Sequence, residues 1–171
     1  MERSNIIKMK GNPLTLIGPE LKPGDPAPDF TLINKDLSPV KLADSSGKVR
    51  LLSVVPSLDT PVCSLQTQRF NKELASLGNA VKSYTISADL PFAQGRFCSE
   101  HDITNTETLS DHRDLSFGEK YGLAIKDLRL LGRAVIIVDK NDKISYLQLV
   151  PEVTEEPNYD EAMEALKKAV G

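Results

Sequence analysis

The run "VRLLSVVP", Val49 to Pro56, constrains this chain more than any other stretch. It is nearly continuous in apolar residues and has the length of one strand, the pattern of a strand covered on both faces. Six residues after Pro56, at Val62, a helical pattern begins. A buried strand that hands over directly to a helix points to an α/β arrangement in which further strands and helices flank it.

The helical pattern has apolar residues at Val62, Phe70, Leu74 and Leu77, with Gln66, Gln68, Arg69, Lys72 and Glu73 between them, and Gly78-Asn79 as its stop. Upstream, "IIKMKGNPLTLIG" predicts a β-hairpin around Gly11-Asn12-Pro13, and "PGDPAPD" a Pro-rich connector. "FTLIN" and "VKLADSSGK" read as short strand-and-turn pieces. Downstream, "VKSYTISA" predicts a strand, "PFAQGRFCSEH" a short helix opened by Pro91, and "DLSFGEKYGL" another short helix. "RAVIIVDKNDKISYLQLV" predicts two strands joined by a tight Lys-Asn-Asp turn. The last helix runs from Asn158 to Val170, with Asn158 and Glu161 as a capping pair and Lys167-Lys168 at the end the helix dipole favours. This order predicts an α/β, thioredoxin-like fold: a central mixed sheet flanked by helices, with an N-terminal β-hairpin extension over residues 1–18. Other α/β sandwiches fit the order almost as well.

The 171 residues, 40% hydrophobic and 26% charged, suit one domain over 1–171 with a sizeable core. A formal net charge of −3 supplies no broad basic face, so neither nucleic acid nor an anionic membrane is an expected partner. No window has the apolar length of a membrane span and the N-terminal stretch has no secretory h-region, which predicts a cytoplasmic protein. Two cysteines, with no Cys-x-x-Cys, encode neither a disulfide framework nor a thioredoxin-type dithiol.

The segment "DTPVC" places Thr60 as N-cap, Pro61 at the first helical position, where its missing N–H costs nothing, and Cys63 at the third. Free backbone N–H groups and the positive end of the helix dipole converge there and favour a thiolate over a thiol. The bland reading is that Cys63 and Cys98 are small buried hydrophobes. On these residues alone both readings stay open.

"PSLDTPVC" carries a Pro-x-x-x-Thr-x-x-Cys motif and resembles the active site of the peroxiredoxins. "ISADLPFAQGRFC" and "GRAVIIVD" are similar to the thiol peroxidase branch of that family, and the resemblance runs over essentially the whole chain. It implies that Pro56, Thr60 and Cys63 are the motif residues, with Cys63 the peroxidatic cysteine, and that Arg133 is the family's arginine at the start of a later strand. It further implies that Cys98 is the resolving cysteine of the same chain. Thioredoxin is implied as reductant, hydrogen peroxide or an organic hydroperoxide as substrate, a homodimer as the assembly, and no metal, haem or flavin as cofactor.

The chemistry suits these residue types. A thiol of pKa about 8.5 is only about 3% ionised at pH 7, so a lower pKa raises the anion by at most roughly thirtyfold. The remaining acceleration has to come from polarising the O–O bond and stabilising the departing oxygen. Arg133 offers a fixed fork of donors, Thr60 a hydroxyl that both donates and accepts, and Pro56 a wall without a competing donor. The resemblance implies that Cys98 condenses with the sulfenic acid of Cys63 to a disulfide, and joining a helix-start cysteine to one on another element predicts local unwinding of both. A zinc site from Cys63, Cys98, His101 and His112 lacks paired spacing, and no hydrolase signature surrounds Cys63. A thiol redox sensor or binding module on the same fold, without fast turnover, is the alternative function.

Overall fold

The computed structural model describes residues 1–171. Eleven strands and four α-helices follow one another as β1 (Glu2–Met9), β2 (Asn12–Ile17), β3 (Thr31–Asn34), β4 (Pro39–Lys41), β5 (Val49–Val54), α1 (Pro61–Leu74), β6 (Val81–Ser87), α2 (Pro91–Glu100), β7 (Glu107–Ser110), α3 (Ser116–Lys120), β8 (Ala124–Ile125), β9 (Leu130–Leu131), β10 (Ala134–Val138), β11 (Ile144–Leu149) and α4 (Tyr159–Val170). Seven strands form one mixed sheet in the order β11-β10-β5-β6-β7-β3-β4. β5, β6 and β7 run parallel, and β10, β11, β3 and β4 pair antiparallel.

All residues of β5 are buried, as its apolar run predicts. Strand alternation sends them to opposite faces. Leu52 and Val54 join Tyr84, Ile136, Phe30 and Phe117 in one core cluster. Val49 and Leu51 join Val135 and Ile137 in another, closed by Phe70 and Leu74 of α1 and by Ala162, Met163 and Leu166 of α4. The second face is the one that matters for the site. Ser53 and Val55 continue it past Leu51, and Arg133 continues it two residues before Val135.

The predicted N-terminal hairpin is present, but it is not isolated. β2 pairs with β8, and β8 with β9, which makes a second sheet in the order β1-β2-β8-β9. The two-residue strands β8 and β9 and the strand β7 have no counterpart in the sequence reading. β7, "ETLS", is short and polar, and its buried hydroxyls are satisfied by neighbours rather than excluded from the core. Gly18 closes the hairpin at φ +116, where a Cβ would lie 2.0 Å from the Glu119 carbonyl oxygen, so only glycine fits. Asn158 caps α4 as expected, its Oδ1 accepting from the Glu161 amide at 3.0 Å.

The helix after β5 differs in two respects. It ends at Leu74 rather than Leu77, and its buried face in the first two turns is Cys63, Gln66 and Thr67, while Val62 is only half-buried. The apolar spacing marked the right helix with the wrong leading edge. Polar residues are buried there because strand and loop groups pair with them.

Asp111, just after β7, holds the start of α3: its carboxylate accepts from the Phe117 amide at 3.1 Å and the Gly118 amide at 2.9 Å. Burial nevertheless pushes its pKa from 3.8 up to about 6, the amides only partly opposing this. A carboxyl with a raised folded pKa stabilises the fold fully below its ordinary pKa, and that contribution is lost as pH rises through the folded value. Wild-type protein therefore loses on the order of 2 kcal/mol between pH 4 and pH 7 from this group. In denaturant melts at the two pH values, Asp111→Asn is expected to flatten that difference. An unchanged pH slope would show that Asp111 is not its source.

Candidate active site

Val55 and Arg133 lie at the same end of adjacent strands, since β10 pairs antiparallel with β5 in the register Ala134 to Val54. Both side chains face α1. The chain leaves β5 at Val54, passes the buried Pro56, turns through Ser57 to Asp59, and starts α1 at Pro61. Cys63 is thereby brought under the end of β10 in the first turn of α1, the position the sequence predicts.

Arg133 is only 2% exposed, and each of its three guanidinium nitrogens donates. Nε donates to the Val153 carbonyl at 3.0 Å, and one terminal nitrogen donates to the same oxygen at 2.8 Å. That nitrogen also donates to Cys63 Sγ at 3.2 Å, and the other donates to Gln66 Oε1 at 3.0 Å. No carboxylate pairs with this guanidinium. A buried cation needs an anion or dense hydrogen bonding, and the one ionisable group this guanidinium hydrogen-bonds is the Cys63 sulfur.

Gln66 is the residue that sequence reasoning passed over. It is fully buried, and its Nε2 donates to Ser53 Oγ at 2.8 Å while its Oε1 accepts from Arg133. Its signal was available: it stands three residues after Cys63, on the same helical face, and Ser53 interrupts an apolar strand two residues before Val55. The Val153 carbonyl, a backbone group, left no such signal.

Thr60 occupies the N-cap position, but its hydroxyl does not cap α1. It donates instead to the Ser57 carbonyl at 2.8 Å, closing the tight turn that precedes the helix. The expected side-chain cap is thus corrected: the nearby carbonyl competes successfully for the hydroxyl. Thr60 remains exposed at the mouth of the site.

Cys63 itself has no exposed surface and packs with Val55, Leu58, Phe97 and Ile103. Outside it lies a depression of about 290 Å³ whose lining includes Thr60, Pro61, Ser64, Arg96, Phe97 and Glu100. Cys98, on α2, packs against the same apolar cluster but points elsewhere. Its Sγ donates to Thr108 Oγ1 of β7 at 3.7 Å, in a separate cleft of about 340 Å³ that also includes Lys35. Burial pushes the Cys98 thiol up, with the Thr108 hydroxyl and Lys35 opposing. Both cysteines are free. Arg133 and Cys63 are therefore brought together, Thr60 lies at the N-cap three residues before Cys63, Pro56 is buried next to Val55 of the cluster that covers Cys63, and Cys98 faces a different cleft.

The loop before α1 is tied down by a further residue without a sequence signal of its own. Asp89, between β6 and α2, accepts from Ser57 Oγ at 2.7 Å, the Leu58 amide at 2.8 Å and Ser87 Oγ at 2.7 Å. No group of three or more His, Cys, Asp or Glu side chains is placed to hold a metal ion. His101 instead packs on Phe97, ring centroids 4.5 Å apart. No helix is long and apolar enough to cross a membrane.

Comparison with known proteins agrees with this geometry. The Redoxin family model matches residues 22–163. A thiol peroxidase of Halalkalibacterium halodurans is 56% identical over 164 residues, which cover 96% of this chain and 98% of that one. The thiol peroxidase of Bacillus subtilis is 55% identical over 164 residues with the same coverage. Among solved structures, a peroxiredoxin-like protein from Aquifex aeolicus superposes with a TM-score of 0.91 at 46% identity, over 98% of this chain and 97% of that one. With the family model spanning most of the chain and relatives more than half identical over nearly all of it, the protein belongs to the Redoxin family as a thiol peroxidase of the peroxiredoxin type.

Proposed function

We propose that residues 1–171 act as one redoxin domain that reduces hydroperoxides, with Cys63 as peroxidatic and Cys98 as resolving cysteine. The observation that carries the reading is the buried Arg133 guanidinium, without a carboxylate, donating to Cys63 Sγ at 3.2 Å. Its charge lies where it stabilises the oxygen that departs during the reaction.

The Cys63 thiolate attacks one peroxide oxygen. An S–O bond forms, the O–O bond breaks, and the departing oxygen takes a proton to leave as water or alcohol, so sulfur is oxidised to a sulfenic acid. Arg133, fixed by Val153 and Gln66, is aimed before substrate arrives and needs no reorganisation. Thr60 turns its hydroxyl from the Ser57 carbonyl to the peroxide, and Pro56 excludes water without offering a donor. Because Cys63 is covered, the reacting end of the substrate enters from the depression beside Thr60 and Pro61 as the first turn loosens. The Cys98 thiol then displaces water from the sulfenic acid to give a disulfide, which thioredoxin reduces by thiol–disulfide exchange. The half-buried Cys98 thiol, its pKa pushed up by burial, is a poor nucleophile until α2 releases it, which favours resolution by local unwinding.

A cytoplasmic setting fits two free thiols in a chain without a disulfide framework. A homodimer fits the exposed Leu65, Leu90 and Phe92, at 53%, 54% and 67% exposure, on the two elements that border the depression. Sedimentation at micromolar concentration tests the dimer.

An assay coupled through NADPH, thioredoxin reductase and thioredoxin tests the function. Steady hydroperoxide consumption is expected, abolished in Cys63→Ser and reduced to a single trapped sulfenic acid per chain in Cys98→Ser. Stoichiometric oxidation without turnover would instead support the redox sensor. Wild-type turnover by Cys98→Ser would exclude the one-chain disulfide.

Arg133→Lys keeps the charge but loses the fork that holds Val153 and Cys63 together. Its kcat/KM for peroxide is expected to fall on the order of a hundredfold. Gln66→Ala, which only unsteers the guanidinium, is expected to lose about tenfold. Equal rates for Arg133→Lys and wild type would remove Arg133 from the mechanism.

A further inference from the structure

We propose that Asp89 is a positioning residue that couples release of the Cys63 loop to release of α2, so that both cysteines become free together. This rests on the peroxidase reading above, because only a one-chain disulfide needs both elements to move.

The path is continuous through hydrogen bonds. On one side, the Asp89 carboxylate holds the loop before α1 through Ser57 Oγ at 2.7 Å and the Leu58 amide at 2.8 Å. Leu58 belongs to the apolar cluster that covers Cys63. On the other side, Ser87 Oγ donates to Asp89 at 2.7 Å and accepts from Gln94 Nε2 of α2 at 3.0 Å. Gln94 also donates to the Leu109 carbonyl of β7 at 2.9 Å, four residues before Cys98 and on the same helical face. The backbone around Asp89 is fixed as well, its carbonyl accepting from Ser110 Oγ. One half-buried carboxylate thus serves both cysteine-bearing elements.

The closed arrangement suits the first chemical step and blocks the second. Cys63 lies against Arg133, while Cys98 faces Thr108 in the other cleft. A disulfide requires the two sulfurs about 2.05 Å apart, which neither sulfur's present partner allows, and on this proposal both elements leave their places. If they opened independently, the jointly open state would have the product of two small populations. A shared partner changes this: once one element lets go, the carboxylate holds the other less well, and joint opening exceeds that product.

Resolution forms the S–S bond and breaks the S–O bond, the departing hydroxide taking the Cys98 proton as water. Its competitor is a second hydroperoxide, which gives one oxygen to the sulfenic acid sulfur as its O–O bond breaks and leaves as water or alcohol, giving a sulfinic acid. Asp89 therefore governs which of these wins.

Quenched-flow oxidation with dimedone trapping and mass spectrometry measures the sulfenic acid lifetime. Asp89→Ala, which removes three hydrogen bonds to a charged group, is expected to shorten it about tenfold and raise by a similar factor the hydroperoxide concentration that yields half sulfinic acid. Ser57→Ala, which removes one and is the milder change, is expected to shorten it about threefold. In hydrogen exchange of the reduced protein, the Ser64 and Gln94 amides, which close the first turns of α1 and α2, are expected to accelerate together in Asp89→Ala. A merely structural role lowers the melting temperature and slows peroxide consumption without shortening the lifetime. An unchanged or longer lifetime in both variants, or acceleration of only one of the two amides, overturns the coupling. Failure of wild-type protein to consume hydroperoxide would instead overturn the underlying function, and the exchange result would stand apart from it.

Discussion

A guanidinium buried where no carboxylate can reach it has to be compensated, and in this protein the compensation organises the site. Arg133, 2% exposed, spends its donors on one carbonyl, one amide oxygen and one sulfur. Carbonyl and amide dipoles cover its hydrogen-bonding capacity but not its net charge. The Cys63 sulfur lies 3.2 Å from the guanidinium, where a compensating anion would stand. On the proposed mechanism the arrangement is mutual: a sulfur anion without the cation would be an uncompensated buried charge, and the cation without the anion would be another. This is why two side chains 70 residues apart belong to one structural decision.

That decision reaches back to the N-terminal hairpin, whose place in the fold is otherwise hard to motivate. The Val153 carbonyl orients Arg133, and Val153 packs with Ile7, Leu16 and Ile125 of the second sheet. The neighbouring Glu152 clamps the hairpin turn, its carboxylate accepting from the Gly11 amide at 2.9 Å and the Lys10 amide at 3.2 Å. Those amides, with the Thr154 amide and hydroxyl, hold the Glu152 pKa down at about 2. The backbone of Lys8 meets the same segment on both sides, bonding to Pro151 and Val153. The hairpin thus fixes a carbonyl, the carbonyl fixes the arginine, and the arginine fixes the sulfur.

What could be read in the sequence followed from hydrophobic burial and from covalent constraint. The β5 run, the Pro61 helix start that fixes Cys63 in the first turn, the Pro91 start of α2 and the Asn158 cap are local signals, and each stands where it pointed. What stayed hidden was held by partners distant in sequence. β7 is a strand because its backbone pairs with β6 and β3, not because "ETLS" looks like one. Gln66 is polar and buried because Ser53 and Arg133 meet it there, and a periodicity argument assigns it to solvent. Thr60 was placed correctly in the chain and wrongly in its bond, since a tight turn offered it a closer acceptor than the helix did. Arg133 was reached through a family resemblance. Its position on the α1 face follows from strand alternation only once the register of β10 against β5 is known.

The two thiols are kept in opposite circumstances, and the difference has a purpose that follows from redox chemistry. Peroxides oxidise thiolates, not thiols, so a protein that carries two cysteines risks reacting at the wrong one. Cys63 touches a cation. Cys98 is surrounded by a hydroxyl and apolar groups, and burial pushes its thiol up against the weaker opposing pull of Thr108 and Lys35. On the proposed mechanism the folded chain therefore presents one reactive sulfur. The second would become a competent nucleophile only on leaving its cleft, and leaving is also what would bring it within bonding distance of its target. Silencing and separation would then be a single structural fact, and the energy that holds α2 on β7 would order the two chemical steps in time.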